Sequence, residues 1–247
     1  MLPDYAWSAW ALIALSTYLT GVSKGGFAGG FGTLSVPLMA LAIGPVEAAG
    51  LLLPLLLVMD VFTVKAWWGH HDAAEVRRLI PGLTVGVLLG TLLIGSLNED
   101  GVRLLLGILS LVFAVYMLLR PAVSRPISAW WSLPAGIGCG FTSFLAHAGA
   151  PPVNLYLIPR RLSKEAFIAT VAIVFATVNL MKLGPYLWLG EINLTSAWAS
   201  LLLVPLAWFG VRSGLWLQHR VSEVLFYRLV TAAMAVVGVQ LIVKSLG

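Results

Sequence analysis

A lone lysine, Lys24, sits in the segment GVSKGGFAGGFGTLSVPL (21–38), which is otherwise apolar, hydroxyl-bearing or glycine, with glycines at Gly21, Gly25, Gly26, Gly29, Gly30 and Gly32. An ammonium flanked by Ser23, Thr33 and Ser35, next to glycines that leave backbone N–H groups accessible, is suited to holding a small anion, because helix N-termini carry partial positive charge. A second break, GCGFTSFLAHAGAPPVNLY (138–156), supplies Thr142, Ser143, His147 and Asn154, with Pro151 and Pro152 placed to start a half-helix. His147 is suited to binding an anion or relaying a proton, since imidazole titrates near neutrality. Asp60 lies about two-thirds along its apolar run, where a carboxylate is expensive and usually functional, and Asn179 holds a similar place in a later run. Asp60 and Lys65 are five apart and do not share a helix face, so Asp60 is, with His147, the candidate to carry a coupled proton. Each feature has a plainer explanation. Gly25/Gly29 and Gly26/Gly30 are GxxxG helix-packing pairs, Lys24 snorkels if the break lies near a surface, His147 hydrogen-bonds to backbone, and Asp60 pairs with a neighbouring helix.

The elements that must position these residues are set by the bilayer. The chain is 60% hydrophobic and 10% charged, against about 25% charged in soluble domains, so it reads as a polytopic membrane protein. No cationic segment precedes the first apolar run, so that run is expected to remain as structure rather than be cleaved as a signal peptide. The run from 7 to 43 would be about 55 Å long as one straight helix, nearly twice the ~30 Å hydrocarbon thickness, and must break. The glycines mark where. Non-helical backbone at that depth is tolerated only if protein buries it or it lines a wet cavity, and broken helices of this kind aim their ends at a substrate in transporters. The net charge of +5 is concentrated in short connections, which the positive-inside rule explains better than nucleic-acid binding.

Other polar residues carry less. Glu47 and Glu165 open helices, where capping and dipole stabilisation suffice. Lys65 and Lys182 stand beside aromatic belts and are expected to snorkel, as is Arg212. His70, His71 and Asp72 lack the further ligand a metal site needs and read as a solvated loop. No nucleophilic triad, Walker loop or zinc-hydrolase helix is present, so neither an enzyme nor a cofactor is expected. The single Cys139 permits no internal disulfide.

The chain reads as one all-α membrane domain, residues 1–247, of about eight spanning segments, with two internal repeats at about 7–120 and 127–245. Pro81, Gly86 and Gly90 are echoed by Pro205, Gly210 and Gly214, Arg103-Leu104 by Arg228-Leu229, Glu47-Ala48 by Glu165-Ala166, and Lys65 by Lys182. If each repeat begins with a broken hairpin that dips in and returns, Arg77, Arg78, Arg120, Arg125, Arg160, Arg161, Lys164, Arg220 and Arg228 are cytoplasmic. Arg103 and Lys244 then remain outside. That satisfies the positive-inside rule far better than parallel repeats, so inverted repeats with re-entrant first elements are expected.

The segments KGGFAGGFGTLSVPLM and HAGAPPVNLYLIPRRLSKEAFIATVAIVFATVNLMKLGPYLWLGEI resemble the TauE/SafE sulfite exporter family, also described as 4-toluene sulfonate uptake permeases, from about residue 15 to the C-terminus. The shared features are glycine-rich breaks followed by V-P-L or P-P, and the Asn-x-x-Lys at Asn179 and Lys182. His147-Ala148-Gly149-Ala150 stands where a Gly-Gly pair often precedes the proline. The resemblance implies a multi-pass carrier of the bacterial inner membrane, moving sulfite, sulfoacetate or a related organosulfonate, with the proton and the lipid bilayer as its other partners. Ser23, Lys24, Gly25, Gly26, Gly29, Gly30, Thr33, Ser35, Thr142, Ser143, His147, Asn154, Asn179 and Lys182 are then the candidate anion ligands. An anion channel, a permease for another small organic anion, and an accessory membrane subunit are the competing readings. Self-association is left open.

Overall fold

The structure is a computed structural model that describes residues 3–27, 32–119, 127–217 and 223–246. Among these the chain is helical and without strands: α1 Trp7–Gly26, α2 Ser35–Met39, α3 Pro45–Trp67, α4 Ala73–Ile94, α5 Glu99–Leu119, α6 Ser132–Ala146, α7 Ala150–Leu157, α8 Lys164–Trp188, α9 Leu194–Leu217 and α10 Glu223–Leu246. Helices α3, α4, α8 and α9 are long and apolar enough to cross a membrane. Leu88, Leu92, Leu118, Leu201, Leu202 and Phe209 are exposed on the outside, an apolar surface that water would not tolerate and lipid does. This is an all-α polytopic membrane protein.

Local chemistry sets the helix ends. The Asp72 carboxylate accepts from the N–H groups of Ala74 (2.9 Å) and Glu75 (3.0 Å) to start α4, and Ser163 Oγ accepts from Ala166 N–H at 3.1 Å to start α8. Pro45 occupies the first turn of α3, with Glu47 beside it. Gly69 and Gly190, with φ of 86° and 73°, turn the chain after α3 and α8.

Both broken elements return to the end of the bundle where they began. The Tyr5 hydroxyl, just before α1, donates to Glu47 in the first turn of α3, so α1 and α2 together enter and leave by one face. Likewise Arg160 Nη1, just before α8, donates to the Ile127 carbonyl, just before α6, at 3.2 Å. The helix after each hairpin therefore starts where the hairpin began.

Glycines then set how the helices pair. A Cβ at Gly82 would meet Leu133 O at 2.5 Å, at Gly86 Ile137 O at 2.2 Å, and at Gly90 the Phe144 side chain at 2.7 Å, so α4 and α6 run parallel in backbone contact. Helices α1 and α9 do the same, with Gly21 against Ala207 and Gly210, and Gly25 against Val211. Gly107 meets Gly238 and Ile242 while Gly238 meets Leu111, which makes α5 and α10 antiparallel. The helix after each hairpin's partner span thus packs on the other hairpin. In the middle, α3 crosses α8, and there the polar residues collect.

Candidate functional site

Lys24 occupies the last turn of α1, at the tip of the first hairpin, and is 9% exposed. Its ammonium pairs with the Asp60 carboxylate on α3. The other Asp60 oxygen accepts from Asn179 Nδ2 on α8 at 2.6 Å, and the Lys24 Nζ lies 5.7 Å from the centre of the Phe175 ring. One ion pair therefore joins a hairpin tip to the crossing point of the two central helices.

A second buried cation, on α8, meets the second hairpin. Lys182, on α8, is fully buried and donates to Ser143 O and Ser143 Oγ, both at 3.0 Å, and to His147 Nδ1 at 2.6 Å. His147 Nε2 lies 3.0 Å from the Ala49 carbonyl. A carbonyl only accepts, and Lys182 only donates, so the imidazole is neutral with its hydrogen on Nε2. A second proton on His147 would break its bond to Lys182. His147 itself closes α6 in the left-handed conformation, φ 50°. Lys65 is exposed, as expected for a snorkelling residue, whereas Lys182 is not: the echo between them in sequence does not extend to their environments.

Between the two hairpin tips lies a cavity of about 340 Å³, including space open to solvent, lined by Thr20, Lys24, Gly32, Leu56, Ser143, His147, Phe175 and Asn179. A smaller space lies beyond the ion pair, lined by Lys24, Asp60, Thr63, Ile168, Val171, Ala172 and Phe175. Lys24 and Phe175 belong to both walls. Beside the His147 ring, the larger space presents an ammonium, two hydroxyls and an amide, a donor-rich lining for an oxyanion.

Of the residues proposed from sequence, Lys24, Ser143, His147 and Asn179 line the larger cavity; Asp60 and Lys182 hold them from behind. Ser23 Oγ accepts from Gly32 N–H at 3.0 Å and shapes the break. Ser35 pairs with Thr20, whose hydroxyl lies 2.6 Å from Ser16 O. The Thr33 hydroxyl faces Met234 Sδ at 3.4 Å. Thr142 Oγ1 lies 2.8 Å from Gly138 O and 2.9 Å from Ala148 O, bracing the second turn. Gly25 and Gly26 lie within α1, where Gly25 packs against the backbone of α9. Asn154 is in α7, outside the cavity lining, with its side-chain oxygen unpartnered. Gly29 and Gly30 lie outside the described residues. Glu47 and Glu165 occupy first helical turns, as expected.

Three residues of consequence were not anticipated. Phe175 shows no distinguishing mark in an apolar run. Glu75 is 2% exposed and gathers Tyr156 Oη (2.5 Å), Arg160 Nε (2.8 Å) and Arg78 Nη1 (2.6 Å), fastening α4 to the second hairpin. Glu191 is 6% exposed at the end of α8. Both carboxylates stand in short polar connections, where an outward-facing charge is the default. The one available signal was their position within a turn of a helix end.

No curated protein and no solved structure matches the chain. A model of the sulfite exporter TauE/SafE family matches residues 13–241, a region that includes most of the first hairpin, all of the second, the Lys24–Asp60 pair and the cavity between the hairpin tips. The chain belongs to the sulfite exporter TauE/SafE family.

Proposed function

We propose that this membrane transporter moves a small sulfur-containing oxyanion, such as sulfite or sulfoacetate, together with a proton across a bacterial inner membrane. The observation that carries the reading is the Lys24–Asp60 pair in the cavity wall. While Asp60 is ionised it occupies the ammonium an anion would need. Protonating Asp60 releases Lys24, and the oxyanion takes the place of the carboxylate, with Ser143 and Asn179 as further donors. A buried charge without a partner is costly, so the site favours two states: empty with the ion pair closed, or loaded with proton and anion together. Cargo and proton then travel in the same direction, and the gradients across the membrane decide which way. His147 is the weaker proton carrier, because its Nδ1 already serves Lys182. The ion pair across the path favours a carrier over an open pore.

The two halves, about 7–120 and 127–245, are in this reading inverted repeats. The support is that each starts with a re-entrant hairpin and that α1 packs on α9 as α6 packs on α4. Alternating access would exchange which hairpin is exposed to water.

The test is flux of radiolabelled sulfite and sulfoacetate in proteoliposomes, with and without a pH gradient. Wild type is expected to saturate and to respond to the gradient. Lys24→Ala is expected to lower flux on the order of a hundredfold, the loss typical of removing one partner of a buried charge pair. Asp60→Asn is expected to abolish the response to pH. Flux through Lys24→Ala equal to wild type would sink the proposal.

A further inference from the structure

We propose that Glu191 is the group through which protons reach Asp60 from the face that carries residues 96–101 and 190–196. This rests on the proton-coupled reading above. The chain leaves α8 through Gly190, Glu191 N–H donates to Tyr186 O at 3.0 Å, and the Glu191 carbonyl is so close to α3 that a Cβ at Gly50 would meet it at 2.0 Å. The side chain is thereby pinned inward, and Oε2 is buried with no hydrogen-bond partner among the described residues.

That placement serves no structural purpose a carboxylate is good at. It stands just past the C-terminus of α8, where the helix dipole disfavours negative charge, and among the described residues it makes no ion pair. The charged and titratable groups facing it are Lys182 and Tyr186 on α8, with His147 behind Lys182. From α3 it meets the backbone at Gly50, and α9 starts with the uncharged Asn193–Ser196 turn. A buried acid so placed is fit to hold a proton and release it.

The route inward is one face of α8. Tyr186, Lys182, Asn179 and Phe175 recur at helical spacing, and they lead from Glu191 to the cavity and to Asp60, which Asn179 contacts. Burial pushes the Glu191 carboxyl up to about 7, with the Lys182 ammonium pulling the other way, so it loads and unloads near neutrality. A proton taken from bulk water neutralises Glu191; its passage to Asp60 leaves Glu191 ionised, Asp60 neutral and Lys24 released.

The experiment compares wild type, Glu191→Gln and Glu191→Asp in proteoliposomes, measuring gradient-driven sulfite and sulfoacetate flux and, separately, anion exchange at equal pH on both sides. Wild-type net flux should fall as pH on the Glu191 side rises through about 7. Glu191→Gln should lose that inflection and at least about tenfold of net flux while keeping exchange, which needs no net proton movement; Glu191→Asp should restore net flux. A Glu191→Gln protein with the wild-type pH profile overturns the proposal. Infrared titration of the same reconstituted proteins gives a readout independent of the anion: a protonated-carboxyl band that titrates near neutral pH and vanishes in Glu191→Gln supports the assignment, and a wild type without it overturns it. If wild type carries neither anion, the transport reading falls while the infrared result still decides Glu191.

Discussion

Removing only one member of the Lys24–Asp60 pair should hurt the protein twice. It leaves a buried charge unpartnered, a cost of about 3–5 kcal/mol in measured cases, whereas replacing both partners by neutral groups of similar size is often close to neutral. Lys24→Met and Asp60→Asn are therefore each expected to lower the unfolding temperature in detergent. The double variant should recover most of that loss and still move no anion. A double variant no more stable than the singles would mean the two residues do not act as a pair. Lys24, Asp60, His147 and Asn179 were legible in the sequence because a polar group is rare in an apolar run and its cost demands a use. Their partners were not: nothing in the spacing of Lys24 and Asp60, thirty-six positions apart, says that a hairpin carries one to the other. The same blindness explains Lys182, which aromatic neighbours marked as a snorkelling residue and which the hairpin turn covers completely. Glu75 and Glu191 were overlooked for the converse reason, since a carboxylate in a polar connection looks solvated until the fold turns it inward.

The hairpins work only if their helices can be held at a fixed height against neighbours that are themselves smooth. Glycine supplies this, because two backbones can then touch and side chains of the flanking residues interlock around the contact. A Cβ at Gly25 would lie 2.2 Å from the Val211 carbonyl, a backbone atom that cannot swing away. Gly25→Ala is accordingly expected to cost about 1–3 kcal/mol, as overpacking does, and to lower transport by shifting Lys24. Gly184 is the control. It lies within α8 with nothing within 4 Å of the added methyl, so Gly184→Ala should be neutral or stabilise by up to about 1 kcal/mol through helix propensity. Thermal unfolding of both variants beside wild type checks the contrast; equal losses would remove the packing argument. The recurrence of Pro81, Gly86 and Gly90 as Pro205, Gly210 and Gly214 was visible in the sequence. What the recurrence was for, α4 gripping the second hairpin and α9 the first, required the pairing of α4 with α6 and α1 with α9.

Charge distributes unevenly between the two ends of the bundle, and the re-entrant hairpins are what make it so. Because each hairpin returns to the face it left, Arg77, Arg78, Arg160, Arg161 and Lys164 gather at the end fastened by Glu75. The opposite end holds Glu47, Glu99, Asp100 and Glu191, with Arg103 and Lys244 as its cations; Lys244 there donates to Leu41 O at 2.8 Å. Had the second hairpin crossed completely, every later helix would have inverted and the basic residues would be split between leaflets. Under the positive-inside rule the Glu75 end is expected to face the cytoplasm. Arg77, Lys164, Ser96 and Thr195 are all exposed near helix ends, and in a Cys139→Ser background single cysteines at these positions can be probed with a membrane-impermeant thiol reagent on intact cells. Cysteines at 96 and 195 should label without permeabilisation, and those at 77 and 164 only after it. Labelling of 77 and 164 from opposite sides would mean that the second hairpin spans the bilayer. The two halves would then share one orientation, the Lys24 and His147 tips would no longer meet across α3 and α8, and a single site alternating between two waters would have no structural basis.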